Sequence, residues 1–161
     1  MTTERSVRRI APGDRDALAV LLAATPEFTA EEVSVALELI DAAIAESDDY
    51  FVRVAEREGR LDGYVCFGPT PMTDGTYDLY WIATAAHARR SGVGAALVTA
   101  LCRELEGVGR RVRLETSSRP EYDATRRFYD RAGFLVAATV ADFYARGDDL
   151  VIYVRRLDDR S

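Results

Sequence analysis

The residues with the clearest capacity for chemistry are Arg89-Arg90-Ser91-Gly92-Val93-Gly94, set between an apolar run, Asp78 to Thr84, and a helical pattern. Successive peptide N–H groups at a strand end and on the first turn of a helix form a small positive cup that favours oxyanions. Glycine lets a ligand approach the backbone closely, and Arg89 and Arg90 add charge beside it. Spacing alone leaves two readings open: a phosphate site, or glycines that merely make a tight strand-to-helix turn. All 21 basic residues are arginine. That excludes a Walker A loop, which needs Gly-Lys-Ser/Thr, and Schiff-base or pyridoxal chemistry, which needs a lysine amine. A dinucleotide fingerprint would place glycine or alanine at position 97, where Leu97 stands, and would follow a first strand.

Other reactive residues are sparse. Cys66 and Cys102 are too few and too scattered for a disulfide framework or a metal knuckle, and are expected to be buried, reduced and inert. His87, the only histidine, has no cysteine or carboxylate cluster beside it in sequence, so it reads as an exposed loop residue and no metal site is expected. Arg146-Gly147-Asp148 reads as a turn.

The elements that must position the glycine turn follow from periodicity. Ser6 to Ala11 reads as an opening strand, and Pro12-Gly13-Asp14 starts a helix through Leu18, Leu21 and Leu22. Thr29 and Glu32 form a capping box, with Phe28 and Val33 as a hydrophobic staple, before the helical series Val33, Leu37, Ile40, Ile44. Tyr50 to Ala55 and Leu61 to Phe67 are strands joined by a longer, glycine-containing turn at Arg57 to Arg60. Tyr77 to Thr84 is a third strand. Val93, Leu97, Leu101, Leu105 and Val108 mark a helix that Gly109 is placed to stop. Arg111 to Ser117 alternates as a half-buried strand, Pro120 opens a helix that Gly133 closes, and Phe134 to Val140 and Leu150 to Val154 flank a loop, Asp142 to Asp149. The order β-α-α-β-β-β-α-β-α-β-β is that of an α/β layered domain with a mixed, largely antiparallel sheet of about seven strands and about four helices.

The chain of 161 residues, 48% of them hydrophobic, reads as one domain spanning 1–161 with a real core. No apolar run approaches the roughly 18 residues of a membrane span, and the charged start, Met1 to Arg9, lacks the apolar stretch of a signal peptide. A cytoplasmic protein is expected. The net charge of −6 opposes nucleic-acid or anionic-membrane binding and suits a cationic partner.

Arg89-x-x-Gly92-x-Gly94, the segment Arg126 to Phe134 (RRFYDRAGF) and the strand Leu79 to Thr84 (LYWIAT) together resemble the GCN5-related N-acetyltransferases (GNAT), as does the element order over almost the whole chain. The resemblance implies that Ser91, Gly92, Val93, Gly94 and Ala95 hold the pyrophosphate of acetyl-CoA through their N–H groups, flanked by Arg89 and Arg90. It also implies that Ile82, Ala83 and Thr84 pair through their backbone with the pantetheine arm, and that Tyr129 sits beside the thioester sulfur. Where the family often has an asparagine on the following helix, this chain has Tyr122.

Acetyl transfer to an amine needs a neutral nucleophile, a polarised carbonyl and a proton for the leaving thiolate. A primary amine has a pKa near that of lysine, about 10.4, so its proton must be taken before or during attack. Asp78, where the resembling family often places an acid on strand four, is the first choice of base; Glu115 is the second, but its alternation with Val112, Leu114 and Thr116 puts it with Arg111 and Arg113, and a salt-bridged surface position is expected of it. Tyr129 is the acid, and direct transfer is favoured over a cysteine thioester. Arg126 and Arg127 are further candidates for CoA phosphates, against a solvated helix face. The acceptor side is expected to be walled by Thr25 to Thr29, Gly68 to Thr73 and the loop Asp142 to Asp149. Its aromatics and carboxylates (Phe28, Phe143, Tyr144, Glu27, Asp74, Asp142, Asp148) suit a small amine. The alternatives are a protein N-terminus or lysine as acceptor, and a non-catalytic acyl-CoA sensor. Exposed sheet edges leave room for a homodimer.

Overall fold

The computed structural model describes residues 4–158. The strands are β1 (Ser6–Arg9), β2 (Phe51–Arg57), β3 (Arg60–Pro69), β4 (Thr76–Thr84), β5 (Arg111–Ser117), β6 (Leu135–Ala145) and β7 (Asp148–Arg156). The helices are α1 (Arg15–Ala23), α2 (Ala30–Ile44), α3 (Val93–Glu104) and α4 (Asp123–Arg131). The strands are ordered β1-β2-β3-β4-β5-β7-β6 in a mixed sheet, and the element order is the one expected from periodicity. Two compact units divide the chain: residues through Gly68 with Leu79–Glu104, and Pro69–Asp78 with the remainder.

In the first unit, β1, β2 and β3 form an antiparallel meander. The turn joining β2 and β3 is tighter than expected. Arg57 pairs with Arg60, and Glu58 and Gly59 both take positive φ, 53° and 76°, the two-residue geometry that matches strand twist. Leu18, Leu22, Ile40, Val52, Val54 and Tyr64 are fully buried in one core, with Phe28, Val33 and Trp81 packed against it. Helix α2 starts as its sequence dictates: Glu32 N–H donates to Thr29 Oγ1 at 3.1 Å, and Thr29 N–H to Glu32 Oε1 at 3.3 Å. Helix α3 ends at Glu104, earlier than the apolar series suggested. Arg53 and Glu104 are paired, with the Arg53 guanidinium 5.5 Å from the Phe67 ring centroid.

In the second unit, β4 and β5 are parallel, with Thr76, Tyr77 and Asp78 paired to Arg111, Val112 and Arg113. β5 pairs antiparallel with β7 along its whole length, and β7 with β6. Val112, Leu114 and Thr116 of β5 are buried, as their alternation required. Gly109, expected to stop α3, instead makes room: a Cβ there would lie 3.1 Å from Leu157 Cδ1 and 3.2 Å from the Tyr77 ring. The expected loop 142–149 is mostly strand. Phe143 to Ala145 prolong β6, Asp148 opens β7, and only Arg146-Gly147 turn between them. Aspartate and glycine in that stretch mark a register irregularity and a hairpin end, not an open loop. Every residue of β6 is exposed, including Leu135 at 76% and Phe143 at 54%.

Candidate functional site

The first unit contains the glycine turn. Between Thr84 and Val93 the chain makes one turn of 3-10 helix, Ala86–Ala88, then Arg90 and Gly92 both adopt positive φ, 60° and 81°. The first bond of α3 is Ala96 N–H to Gly92 carbonyl at 3.0 Å. The N–H groups of Gly92, Val93, Gly94 and Ala95 therefore precede the helical ladder and have no partner within the helix, the arrangement that receives an oxyanion. Val93 is buried against β3 at Gly63, where a Cβ would lie 2.9 Å from Val93 Cγ1 and 2.6 Å from the Ala83 carbonyl oxygen. Glycine at 63 is what lets the helix start sit directly on the sheet.

Ser91 is spent internally. Its hydroxyl donates to the Ala88 carbonyl at 2.5 Å and accepts from Arg5 Nη2 at 2.9 Å, while its own carbonyl accepts from Arg5 Nη1 at 3.1 Å. Only its backbone N–H remains for a ligand. Arg90 is exposed, and Arg89, half-exposed, lies 4.0 Å from Glu27. Ile82, Ala83 and Thr84 close β4, with Ala83 buried.

His87 is exposed, as expected, but its ring is engaged. Its Nε2 lies 3.0 Å from Asp62 Oδ1. Asp62, on β3 and 1% exposed, also accepts from Arg5 Nε at 3.1 Å and lies 3.6 Å from Arg57 Nε. Its backbone carbonyl accepts from Ala85 N–H at 2.8 Å. Burial pushes the Asp62 carboxyl up, but hydrogen bonds from His87 and Arg5 and the charges of Arg57 and Arg5 outweigh it and hold it below the usual carboxylate range. Sequence reading missed Arg5 and Asp62. The available signal was a carboxylate inside the otherwise apolar run Leu61 to Phe67, since a buried charge needs a partner.

The second unit contains the residues expected to handle protons. Asp78 is buried; its Oδ1 accepts from Arg113 Nε at 2.8 Å and its Oδ2 from Thr70 Oγ1 at 2.8 Å. Arg113 also lies 3.2 Å from Glu115, which keeps the ion-paired position expected of it. Tyr129 is buried in an aromatic cluster, its ring centroid 5.3 Å from Phe128, 5.7 Å from Phe134 and 5.9 Å from Tyr153. Burial raises its phenol well above the ordinary value, so it is held protonated. Arg126 donates to the carbonyls of Ser117 at 2.6 Å and Arg119 at 3.0 Å and pairs with Asp123, which commits it to holding its own helix.

Of the segments expected to wall the acceptor, Phe28 packs edge-on against Trp81 at 5.3 Å and Phe143 against Tyr144 at 5.0 Å. Asp148 is buried and accepts from the Ser117 hydroxyl. Burial raises the Tyr144 phenol, and the carboxylates of Glu115 and Asp148 and the neighbouring Tyr122 push it further the same way. Both cysteines are buried, and burial pushes the Cys66 thiol up to about 12. Among the described residues there is no cluster of metal-ligating side chains and no helix long and apolar enough to cross a membrane.

These features coincide with membership of a known family. Residues 16–134 match the acetyltransferase (GNAT) family, and the chain belongs to it. A protein described as an acetyltransferase of that family from Desulfovibrio desulfuricans is 40% identical, with a TM-score of 0.92 over 96% of this chain and 100% of that one. An aminoglycoside 6'-N-acetyltransferase complexed with coenzyme A shares the fold at 14% identity, with a TM-score of 0.77 over 97% and 99% of the two chains. A protein named 5-NmdU N-acetyltransferase from Pseudomonas phage PaMx11 is 32% identical over 87 residues, 54% of this chain. The match spans about three fifths (59%) of that relative's length.

Proposed function

We propose that residues 1–161 form one acetyltransferase domain that transfers the acetyl group of acetyl-CoA directly to the primary amine of a small cationic molecule. The observation that carries this reading is the set of N–H groups from Gly92 to Ala95, left outside the helical ladder beside Arg89 and Arg90. These groups and the Ser91 N–H would hold the pyrophosphate. Ile82, Ala83 and Thr84 would pair with the pantetheine amides as a strand pairs with a peptide.

The amine nitrogen attacks the thioester carbonyl, the carbon–sulfur bond breaks, the nitrogen loses one proton and the thiolate gains one. Tyr129 is assigned the donor. A thiol titrates near 8.5 and an ordinary phenol near 10, and burial raises Tyr129 further. Its contribution is therefore a hydrogen bond to the charge developing on sulfur more than complete proton transfer, and the departing thiolate takes its proton from solvent. Asp78 is assigned the proton acceptor; because both its oxygens are engaged, the Thr70 hydroxyl must yield or share Oδ2. The net charge of −6 supports a cationic acceptor. The acceptor in the phage relative's name, 5-NmdU, belongs in the first panel of amines. The exposed edge of β6 supports self-association as a homodimer.

The test is a thermal-shift titration with acetyl-CoA, CoA and NADH, followed by free-thiol detection over the amine panel. A bound ligand at a hundredfold excess over its dissociation constant stabilises by about 2.7 kcal/mol. Thiol release with one amine supports the transferase; stabilisation without release on any amine favours an acyl-CoA sensor; no response to CoA refutes the pyrophosphate site. Tyr129→Phe should lower kcat while leaving acetyl-CoA affinity unchanged, and equal turnover removes its role.

A further inference from the structure

We infer that Asp62 is a positioning residue for the anion-binding turn, acting through Arg5 and His87 to fix the direction in which the N–H groups after Ser91 point. The inference rests on the reading of that turn as the acetyl-CoA pyrophosphate site. Asp62 grips the turn at both ends. At its entry, the Asp62 carbonyl holds Ala85 N–H at 2.8 Å and its carboxylate meets His87 Nε2 at 3.0 Å. At its exit it acts through Arg5, whose Nε binds the Asp62 carboxylate while its two terminal nitrogens bind the carbonyl and hydroxyl of Ser91.

The peptide between Ser91 and Gly92 is planar and trans, so its C=O and N–H point in opposite directions. Holding the Ser91 carbonyl on Arg5 turns the Gly92 N–H away from Arg5, and the following N–H groups continue from that plane into α3. A planar guanidinium holds Asp62 and Ser91 in one fixed geometry because its donors form a rigid fork; an ammonium, a point charge with rotatable donors on a flexible stem, does not fix them so. Arg57, at 3.6 Å, adds charge to the hub without reaching the turn by any described bond.

This role makes a prediction of unusual sign. Asp62 is a negative charge behind an anion site. If it acted only through its charge, neutralising it would tighten acetyl-CoA binding. If it positions the turn, neutralising it weakens binding although the local charge becomes more favourable.

The experiment compares wild type, Asp62→Asn and Arg5→Lys in full-length protein, titrated with acetyl-CoA and with acetyl-pantetheine, which lacks the pyrophosphate, and followed kinetically with a fixed amine. Hydrogen bonds to charged groups set the expected loss at about 10- to 100-fold in acetyl-CoA affinity for both variants. Binding of acetyl-pantetheine should stay unchanged, and kcat at saturating acetyl-CoA should be kept while KM rises. Unchanged or tighter acetyl-CoA binding overturns the inference, and so does an equal loss for both ligands, which would mark a purely structural role. Should Asp62→Asn fail to fold, Arg5→Lys, at a partly exposed position, decides alone. A wild type that binds both ligands equally overturns the pyrophosphate reading itself, and the inference falls with it.

Discussion

Replacing Gly63 by alanine tests whether close approach of β3 to the start of α3 builds the turn. The added methyl would meet the Ala83 carbonyl oxygen at 2.6 Å, Val93 Cγ1 at 2.9 Å and Thr84 Cα at 3.4 Å. Two of these atoms are backbone and the third belongs to a stiff β-branched side chain, so no flexible group can simply swing away. Overpacking of this kind costs about 1–3 kcal/mol. Alanine recovers about 0.4–1 kcal/mol by restricting the unfolded chain, since Gly63 is not among the positive-φ residues. Contacts below 3.0 Å put the overpacking cost in the upper half of its range, so the net loss is about 1–2.6 kcal/mol, or about 2–10 °C in Tm for a domain of this length. Because Val93 is the first residue of α3, the displacement also reaches the N–H groups beside it, and acetyl-CoA affinity should fall in the same protein. Gly13→Ala, where nothing lies within 4 Å of the new methyl and φ is not positive, is the control and should melt about 1–4 °C above wild type. Melting curves followed by circular dichroism and titration with acetyl-CoA read both effects. A Gly63→Ala protein that melts at or above wild type, with unaltered affinity, would refute the packing rationale.

Two further outcomes are expected. The Asp14 carboxyl is lowered chiefly by hydrogen bonds from Arg8, against the effect of burial, and Asp62 is lowered in net by His87 and its arginines. Groups whose folded pKa is depressed contribute stability above the unfolded value, about 3.9, and lose it as pH falls through the folded value. Urea unfolding should therefore show stability falling only below about pH 5, with a shallower fall in Asp62→Asn; a decline beginning near neutral pH would contradict the assignment. Cys66 and Cys102 should resist thiol reagents in the native protein and react on unfolding, with activity unaffected by the reagent; inactivation tracking the labelling of either thiol would reopen a covalent route.

The elements that could be read from sequence were those determined by neighbours in the chain. The Thr29–Glu32 box and the alternation of Val112, Leu114 and Thr116 are local, and both occur as expected. The end of β6 was hidden because Asp142 and Gly147 carry loop chemistry while Phe143 to Ala145 carry strand chemistry, and cross-strand pairing decided between them. The glycine turn was legible as a strand-to-helix turn because it is built from consecutive residues, with Gly92 at positive φ. What braces it was not, because Arg5, Asp62 and His87 meet across separations of 57 and 25 residues that no local pattern encodes. Asp78 was visible as a carboxylate on β4, but its engagement by Arg113 depends on the register of a parallel pair, which sequence does not specify.

The contact between Arg5 and Ser91 spans 86 residues, and this has a consequence for the order of folding. Closing a loop of that length is entropically unfavourable until the intervening strands have paired. The capped helix α2 and the tight β2–β3 hairpin need only local chain and can form first. A refolding molecule should regain its helical signal before it regains affinity for an anion at the turn.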